Sequence, residues 1–348
     1  MARLARKDAR LSPGVVAIAE SASARRLLID ADRVLVHESG FFRIGPEPLP
    51  AELVARLSAE VRILVLNYVK ENQESIFAQV RSLIAGESYL SNRFGYMFVY
   101  EFFQNMICCD APDEIRSAID TYVRDSILKE DVLGNFDSQD RARRSFNERM
   151  ATYAVERGGI EESRDLLDVA IKASDKPREQ AEIFHRLILS TVGFTGCALE
   201  WALVGLSRQS KFLDSEEFVL EVLRFYSPIW RLTRRVNHDF ALKDFRVQQG
   251  DRVFVNLFQI NRSAEMGDCP NKFDPGRMRN RDARGSLLSF GKGRRSCPAQ
   301  KPALLFLTLV VSEMRQNFQV SFNRKGFSHP RFATFIACTK GSFVLRPR

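Results

Sequence analysis

Phe290-Gly291-Lys292-Gly293-Arg294-Arg295-Ser296-Cys297-Pro298-Ala299 decides how the rest of the chain reads. It follows a loop rich in Arg and Asp and runs into the apolar segment Pro302 to Val311. The stretch is a Gly-punctuated turn that presents one thiol at the mouth of a predicted helix. Backbone N–H groups at a helix start stabilise negative charge, so Cys297 is placed to be a thiolate. Two glycines let the backbone approach something flat and bulky. Arg295, two residues before the thiol, offers a fork of donors to a carboxylate. A buried cysteine beside a basic loop would give the same letters, so the rest of the chain has to decide.

Length and composition set the outer bounds. At 348 residues the chain can bury a large core, as one big domain or two. Six cysteines (Cys108, Cys109, Cys197, Cys269, Cys297, Cys338) are scattered, and the adjacent pair Cys108-Cys109 argues against a disulfide framework. There is no C-x-x-C pair, and His37, His185, His238 and His329 lack metal-ligand spacing, so a zinc site is not expected. Net charge is +9. Lys and Arg are spread without a basic block or interleaved aromatics, so no nucleic-acid partner is expected, whereas an acidic electron-transfer partner suits this surface. The apolar run Ala303 to Val311 is too short to span a bilayer, and no stretch of signal-peptide character opens the chain. The expectation is a cytoplasmic protein without a membrane anchor.

The spacing Phe290-x-x-Gly293-x-Arg295-x-Cys297-x-Ala299 closely resembles the haem-binding loop of the cytochrome P450 superfamily. The resemblance implies that Cys297 is the axial thiolate of a haem b iron and that Arg295 donates to a haem propionate. Phe290 and Gly293 are carried over as cofactor-binding positions. The family's last position is usually Gly and here is Ala299.

Three further features stand in the family's order. Glu216 to Phe225 reads as a helix carrying Glu221-Val222-Leu223-Arg224, whose two charges share one face. Ile229 to Arg235 reads as a basic strand, on which the resemblance places a propionate-binding Arg; counting favours Arg234, with Arg235 second. Phe273-Asp274-Pro275-Gly276-Arg277 resembles the family's Pro-x-Arg segment, and Asn261-Arg262-Ser263 its Asn-Arg-Asp turn. The resemblance gives Glu221, Arg224 and Arg277 a structural role as a buried triad behind the Cys loop, since a buried charge must be paired to be tolerated. Val247 to Leu257 reads as a hairpin, Ala303 to Arg315 as a helix, and Phe318 to Phe322 and Phe343 to Leu345 as closing strands.

Upstream the pattern is helical. Ala51 to about Glu71, Phe94 to Met106, Asp137 to Arg157 and Glu161 to Ala173 each carry a helical stripe. Ala181 to Leu206 is apolar on most sides and reads as a buried central helix. The family's central helix carries Ala-Gly-x-acid-Thr, and here the run is Val192-Gly193-Phe194-Thr195-Gly196, which supplies the acid–Thr pair in neither register. Thr195 is the candidate hydroxyl for proton handling; a mid-helix Thr bonding back to its own backbone is the alternative. Gly14 to Ala19 reads as a strand and Ser23 to Ile29 as a helix, so by this resemblance the chain is short for the family at its N-terminus. The family's N-terminal propionate motif is not found, and His37 and Arg43 are the nearest substitutes.

The expected fold is mainly α with small β-sheets, the cytochrome P450 fold as one large domain over residues 1–348. The implied function is a haem-thiolate monooxygenase acting on a small, largely apolar substrate in secondary metabolism, served by a separate ferredoxin-type redox partner. Two other readings stay open. One is a haem-thiolate enzyme that uses peroxide or catalyses coupling, rearrangement or dehydration. The other is a catalytically silent partner of another enzyme.

Overall fold

Strand alternation begins the chain. Ala9–Ser12 (β1) and Val15–Ile18 (β2) pair antiparallel across Gly14, whose φ of 72° is the left-handed conformation that glycine adopts without a Cβ clash. The computed structural model describes residues 7–29, 34–35, 43–44, 47–48, 50–84, 88–91, 93–125, 136–209, 214–242, 245–324, 331–332, 336–337 and 341–348. His37 therefore lies outside the described residues, and Arg43 is described only as part of a short strand. After β2 come Ser21–Ile29 (α1) and three two-residue strands, Val34–Leu35 (β3), Arg43–Ile44 (β4) and Glu47–Pro48 (β5).

A helical half follows. Ala51–Glu71 (α2) has the predicted bounds. Gln73–Arg81 (α3), the strand Ser88–Ser91 (β6), Phe94–Ile107 (α4), Asp113–Val123 (α5) and Phe136–Arg157 (α6) come next. The helix expected from Glu161 starts only at Leu166 (Leu166–Ala173, α7). Asp165 is the reason: its carboxylate accepts the Asp168 amide as an N-cap and sets the first turn there. Pro177–Ile188 (α8) opens with a proline at a position whose N–H is not needed.

α8 does not end in a cap. It passes through a π-helical turn, Leu189–Phe194, into Thr195–Arg208 (α9). This 32-residue segment is long and apolar enough to cross a membrane, yet 72% of its most apolar window is buried inside the protein. Its apolarity on most sides is that of a core element. α4 crosses it closely. A Cβ on Gly196 would sit 2.6 Å from the Tyr96 Cα, and one on Gly95 would sit 2.6 Å from the Gly196 carbonyl oxygen. Two glycines facing each other let the backbones approach this far.

Ser215–Phe225 (α10) leads into the C-terminal third. There Arg231–Val236 (β7), Phe240–Leu242 (β8), Phe245–Val247 (β9) and Arg252–Asn256 (β10) precede the short helices Leu257–Ile260 (α11) and Arg281–Ser286 (α12). Gln300–Asn317 (α13), Phe318–Arg324 (β11), Arg331–Phe332 (β12), Ile336–Ala337 (β13) and Gly341–Pro347 (β14) close the chain. The main sheet runs β1-β2-β10-β7-β3, and a second runs β11-β14-β6. The hairpin expected over Val247 to Leu257 is not formed. β9 pairs instead with β8, and β10 pairs antiparallel with β7 and parallel with β2, because the Gly250 turn sends the chain back into the main sheet.

Buried apolar side chains form two clusters. The larger joins the helices, with Phe98, Phe184, Phe218 and Phe306 among its members. The smaller lies between α1 and the main sheet and includes Leu27, Val253 and Leu288. Phe290 packs against the larger cluster and Leu288 belongs to the smaller, so the chain crosses the seam between them just before Cys297.

Candidate functional site

The Cys loop is held by its own backbone. Gly291 N–H donates to Leu288 O (2.8 Å), Ser296 N–H to Gly293 O (3.0 Å) and Cys297 N–H to Phe290 O (2.8 Å). Gly291 and Gly293 have φ of 73° and 75°, which side-chain-bearing residues adopt only with strain. Gly293 also meets α1, where a Cβ would lie 2.5 Å from the Leu28 carbonyl oxygen. Only a bare backbone fits between the loop and the end of that helix.

Cys297 presents an exposed face, but its sulfur is closely surrounded by protein. That crowding pushes its thiol pKa up, and the Ala299 N–H, which favours the thiolate, does not outweigh it. The start of α13 alone is not enough to offset this burial. A cation bound at the sulfur would be.

Arg234 and the loop residue Arg295 lie near enough for the charge of one to act on the other. Arg234, on β7, is 7% exposed. Among the described residues its single hydrogen-bond partner is the carbonyl of Thr233 (2.9 Å), and it has no carboxylate. Burial, and then the charge of Arg295, lower its pKa to about 10. Burial, and then Arg294, also lower that of Arg295. Arg235 points elsewhere, donating to Gly250 O at 3.0 Å in an exposed position. A buried guanidinium without a carboxylate, such as Arg234, is tolerated best with an anion beside it. Leu232, on the same strand face as Arg234, reaches within 3.6 Å of where a Gly291 Cβ would stand.

Behind the loop lies the ion-pair network anticipated from the sequence. Glu221 and Arg224 are fully buried and bond at 2.7 Å through both carboxylate oxygens. Arg224 further donates to the carbonyls of Asn261 (2.8 Å), Pro270 (2.7 Å) and Lys272 (3.0 Å). Glu221 also accepts the Asp274 amide at 2.7 Å. Arg277 approaches Glu221 at 3.9 Å and spends its other donors on the carbonyls of Met266, Asp268 and Cys269. Apart from Arg277 Nε, whose nearest acceptor is Glu221 at 3.9 Å, the network bonds to the turns that follow α11 rather than to solvent.

On the central helix, Thr195 is half-buried and opens α9 directly after the π turn. Among the described residues its hydroxyl makes no hydrogen bond, whereas Ser190 bonds back to the Arg186 carbonyl. π turns leave backbone groups without their usual partners and are frequent at functional positions. The sequence pattern gave no sign of this one, since its residues keep an apolar helical stripe. No acidic side chain occurs between Leu187 and Leu199. The nearest one on α9, Glu200, is 1% exposed and packs on α4; burial raises its pKa well above the ordinary carboxylate range, against the opposing charge of Arg93.

Sequence reasoning also missed Asn261 and Ser289 as functional neighbours of the loop. Asn261 Nδ2 donates to Ser289 Oγ (3.0 Å), and the Leu288 amide donates to Asn261 Oδ1 (3.2 Å). The Asn-Arg turn was a signal for the first; nothing marked the second.

A family model for cytochrome P450 matches residues 215–346. Among curated proteins the chain is 26% identical over 228 residues to cytochrome P450 93B2 of Gerbera hybrida, covering 50% of this chain and 45% of that protein. It is 28% identical over 232 residues to the 7-ethoxycoumarin O-deethylase of Helianthus tuberosus (56% and 45%), and 27% over 213 residues to the drimenol monooxygenase of Persicaria hydropiper (50% and 42%). The chain thus spans less than half the length of these relatives. Among solved structures, retinoic-acid-bound cyanobacterial CYP120A1 superposes with a TM-score of 0.77 at 15% identity, over 96% of this chain and 89% of that one. A cytochrome P450 from the archaeon Picrophilus torridus gives 0.75 at 17%, over 98% and 99%. At these identities the superpositions establish the fold.

Proposed function

We propose, for a chain that belongs to the cytochrome P450 superfamily, a haem-thiolate oxidoreductase whose cofactor is haem b and whose whole described chain serves one haem domain. The observation that carries the reading is the buried Arg234 beside Arg295, next to a loop whose one thiol has an exposed face. The residues fit the group. Cys297 would ligate the iron, Arg234 and Arg295 would receive the two propionates, and Phe290 and Gly293 would shape the loop under the ring. Bound haem supplies oxidation chemistry, with the thiolate donating electron density that favours O–O cleavage. The chain's own part is to hold the ligand, neutralise the carboxylates and keep the reaction in an apolar interior.

The monooxygenase reading takes a small apolar substrate of secondary metabolism, dioxygen, and electrons from a separate ferredoxin-type protein attracted by the basic surface. Thr195, unbonded at the end of the π turn, is the hydroxyl available to hold a proton near the oxygen. One observation favours a second reading. The central helix has no acid beside Thr195, and Glu200, whose pKa burial raises, packs against α4. An enzyme that takes its oxygen from peroxide needs no such relay.

The test is a side-by-side assay of haem-loaded protein on an apolar probe library. One arm supplies ferredoxin, its reductase and ¹⁸O-labelled dioxygen; the other supplies hydrogen peroxide. Labelled product in the first arm establishes the monooxygenase. Product only in the second establishes the peroxide enzyme. No oxidised product in either arm rejects both.

A further inference from the structure

We infer that Ser289 and Asn261 are positioning residues for the Cys297 loop, fixing its base on α10 through a closed ring of hydrogen bonds. The inference rests on the reading of Cys297 as the haem ligand. Ser289 Oγ donates to the Leu223 carbonyl at 3.0 Å and accepts from Asn261 Nδ2 at 3.0 Å. The Asn261 carbonyl accepts from Arg224 at 2.8 Å, and Arg224 follows Leu223 in α10, which closes the ring. Asn261 and Arg224 are fully buried and Ser289 nearly so. The Asn261 side-chain oxygen, Oδ1, accepts the Leu288 amide.

The consequence lies in what each group can reach. Glu221 and Arg224 bond to each other and to Asn261, Pro270, Lys272 and Asp274, all of them outside residues 288–297. Asn261 and Ser289 carry the hold from there into the loop. Beyond Ser289 the loop contains two glycines at positive φ and is braced by the backbone bonds of Gly291, Ser296 and Cys297. The Phe290 carbonyl, one residue past Ser289, receives the Cys297 amide. Fixing Leu288 and Ser289 therefore sets where Phe290 O stands, and with it the thiol. An alanine at 289 would leave the Leu223 carbonyl and the Asn261 amide buried without partners, the costly way to lose a hydrogen bond.

The experiment uses the full chain loaded with haem, as parent, Ser289→Ala, Ser289→Thr and Val65→Ala. Val65 lies in the core of α2 and supplies a comparable loss of stability away from the loop. Two quantities are read: amide exchange over Leu288 to Cys297, and the rate at which the reduced carbon monoxide complex loses its red-shifted thiolate band. The account predicts both to be about tenfold faster in Ser289→Ala, the scale of one buried hydrogen bond. It predicts recovery in Ser289→Thr, which keeps the oxygen, and no change in Val65→Ala despite a similar fall in Tm. Equal behaviour of Ser289→Ala and Val65→Ala in both quantities overturns the inference. A parent without any thiolate band rejects the reading of Cys297, while the exchange data still decide whether Ser289 holds the loop.

Discussion

Glu221 and Arg224, one helical turn apart on α10, meet through two hydrogen bonds of 2.7 Å with neither side chain reaching solvent. Such a pair contributes little against an apolar replacement but is costly to break, because the survivor is a buried, unpaired charge. Glu221→Gln is expected to lose about 3–5 kcal/mol in denaturant unfolding. A loss below about 1 kcal/mol, the scale of an exposed ion pair, would contradict this description.

His185 gives acid sensitivity. It is buried on α8, edge-on to Tyr122 of α5 at 6.0 Å. Burial, and then Arg186 and Arg143, lower its pKa from 6.5 to about 3, with Glu182 opposing. A histidine whose folded pKa is depressed binds its proton in the unfolded chain first. Its contribution is therefore intact above about pH 6.5 and is lost as pH falls from there towards 3. At pH 5 the loss is about 2 kcal/mol. His185→Gln should remove that component of the slope when unfolding is followed between pH 7 and pH 5; an unchanged slope would contradict it.

Glu200 acts at the other end of the scale. Burial raises its pKa well above 4.5, and Arg93 only partly offsets this. The folded state then holds a proton that the unfolded chain releases. Stability is therefore fully present below the ordinary carboxylate range and declines as pH rises through it towards the folded pKa. Glu200→Gln should flatten Tm against pH above 5 and should match or exceed the parent at pH 8. A variant whose Tm falls increasingly behind the parent as pH rises would show that Glu200 is ionised and paired.

The α4–α9 crossing depends on a missing Cβ. Gly196→Ala places a methyl 2.6 Å from the Tyr96 Cα, a backbone atom that cannot swing aside. Overpacking of this kind costs about 1–3 kcal/mol. Gly285→Ala, in α12 with nothing within 4 Å, should be neutral or slightly stabilising. Equal unfolding midpoints for the two variants would rule out the close crossing.

Much of the C-terminal third was legible in the sequence. The Cys loop, the Glu-x-x-Arg pair and the Arg of β7 are read from residue types at fixed spacing: a thiol on a Gly-punctuated turn, a bidentate pair and a buried cation. Counting along the strand favoured Arg234 over Arg235, and the structure buries the first while turning the second outward. What could not be read were features that depend on partners distant in sequence. The start of α7 was set by the Asp165 cap, whose letter also suits a helix interior. The pairing of β10 with β2 joins strands more than two hundred residues apart. The π turn is a change of hydrogen-bond register beneath an unchanged apolar stripe. Ser289 gains its place only because α10 and the Asn261 turn converge on it.

The measurement that tests the central claim most directly is the absorption spectrum of the haem-loaded chain, oxidised and then reduced under carbon monoxide, beside Cys297→Ala. The account predicts a red-shifted thiolate band in the parent and its loss in the variant. A folded parent that takes up no haem, or a band that survives removal of the Cys297 sulfur, would contradict it.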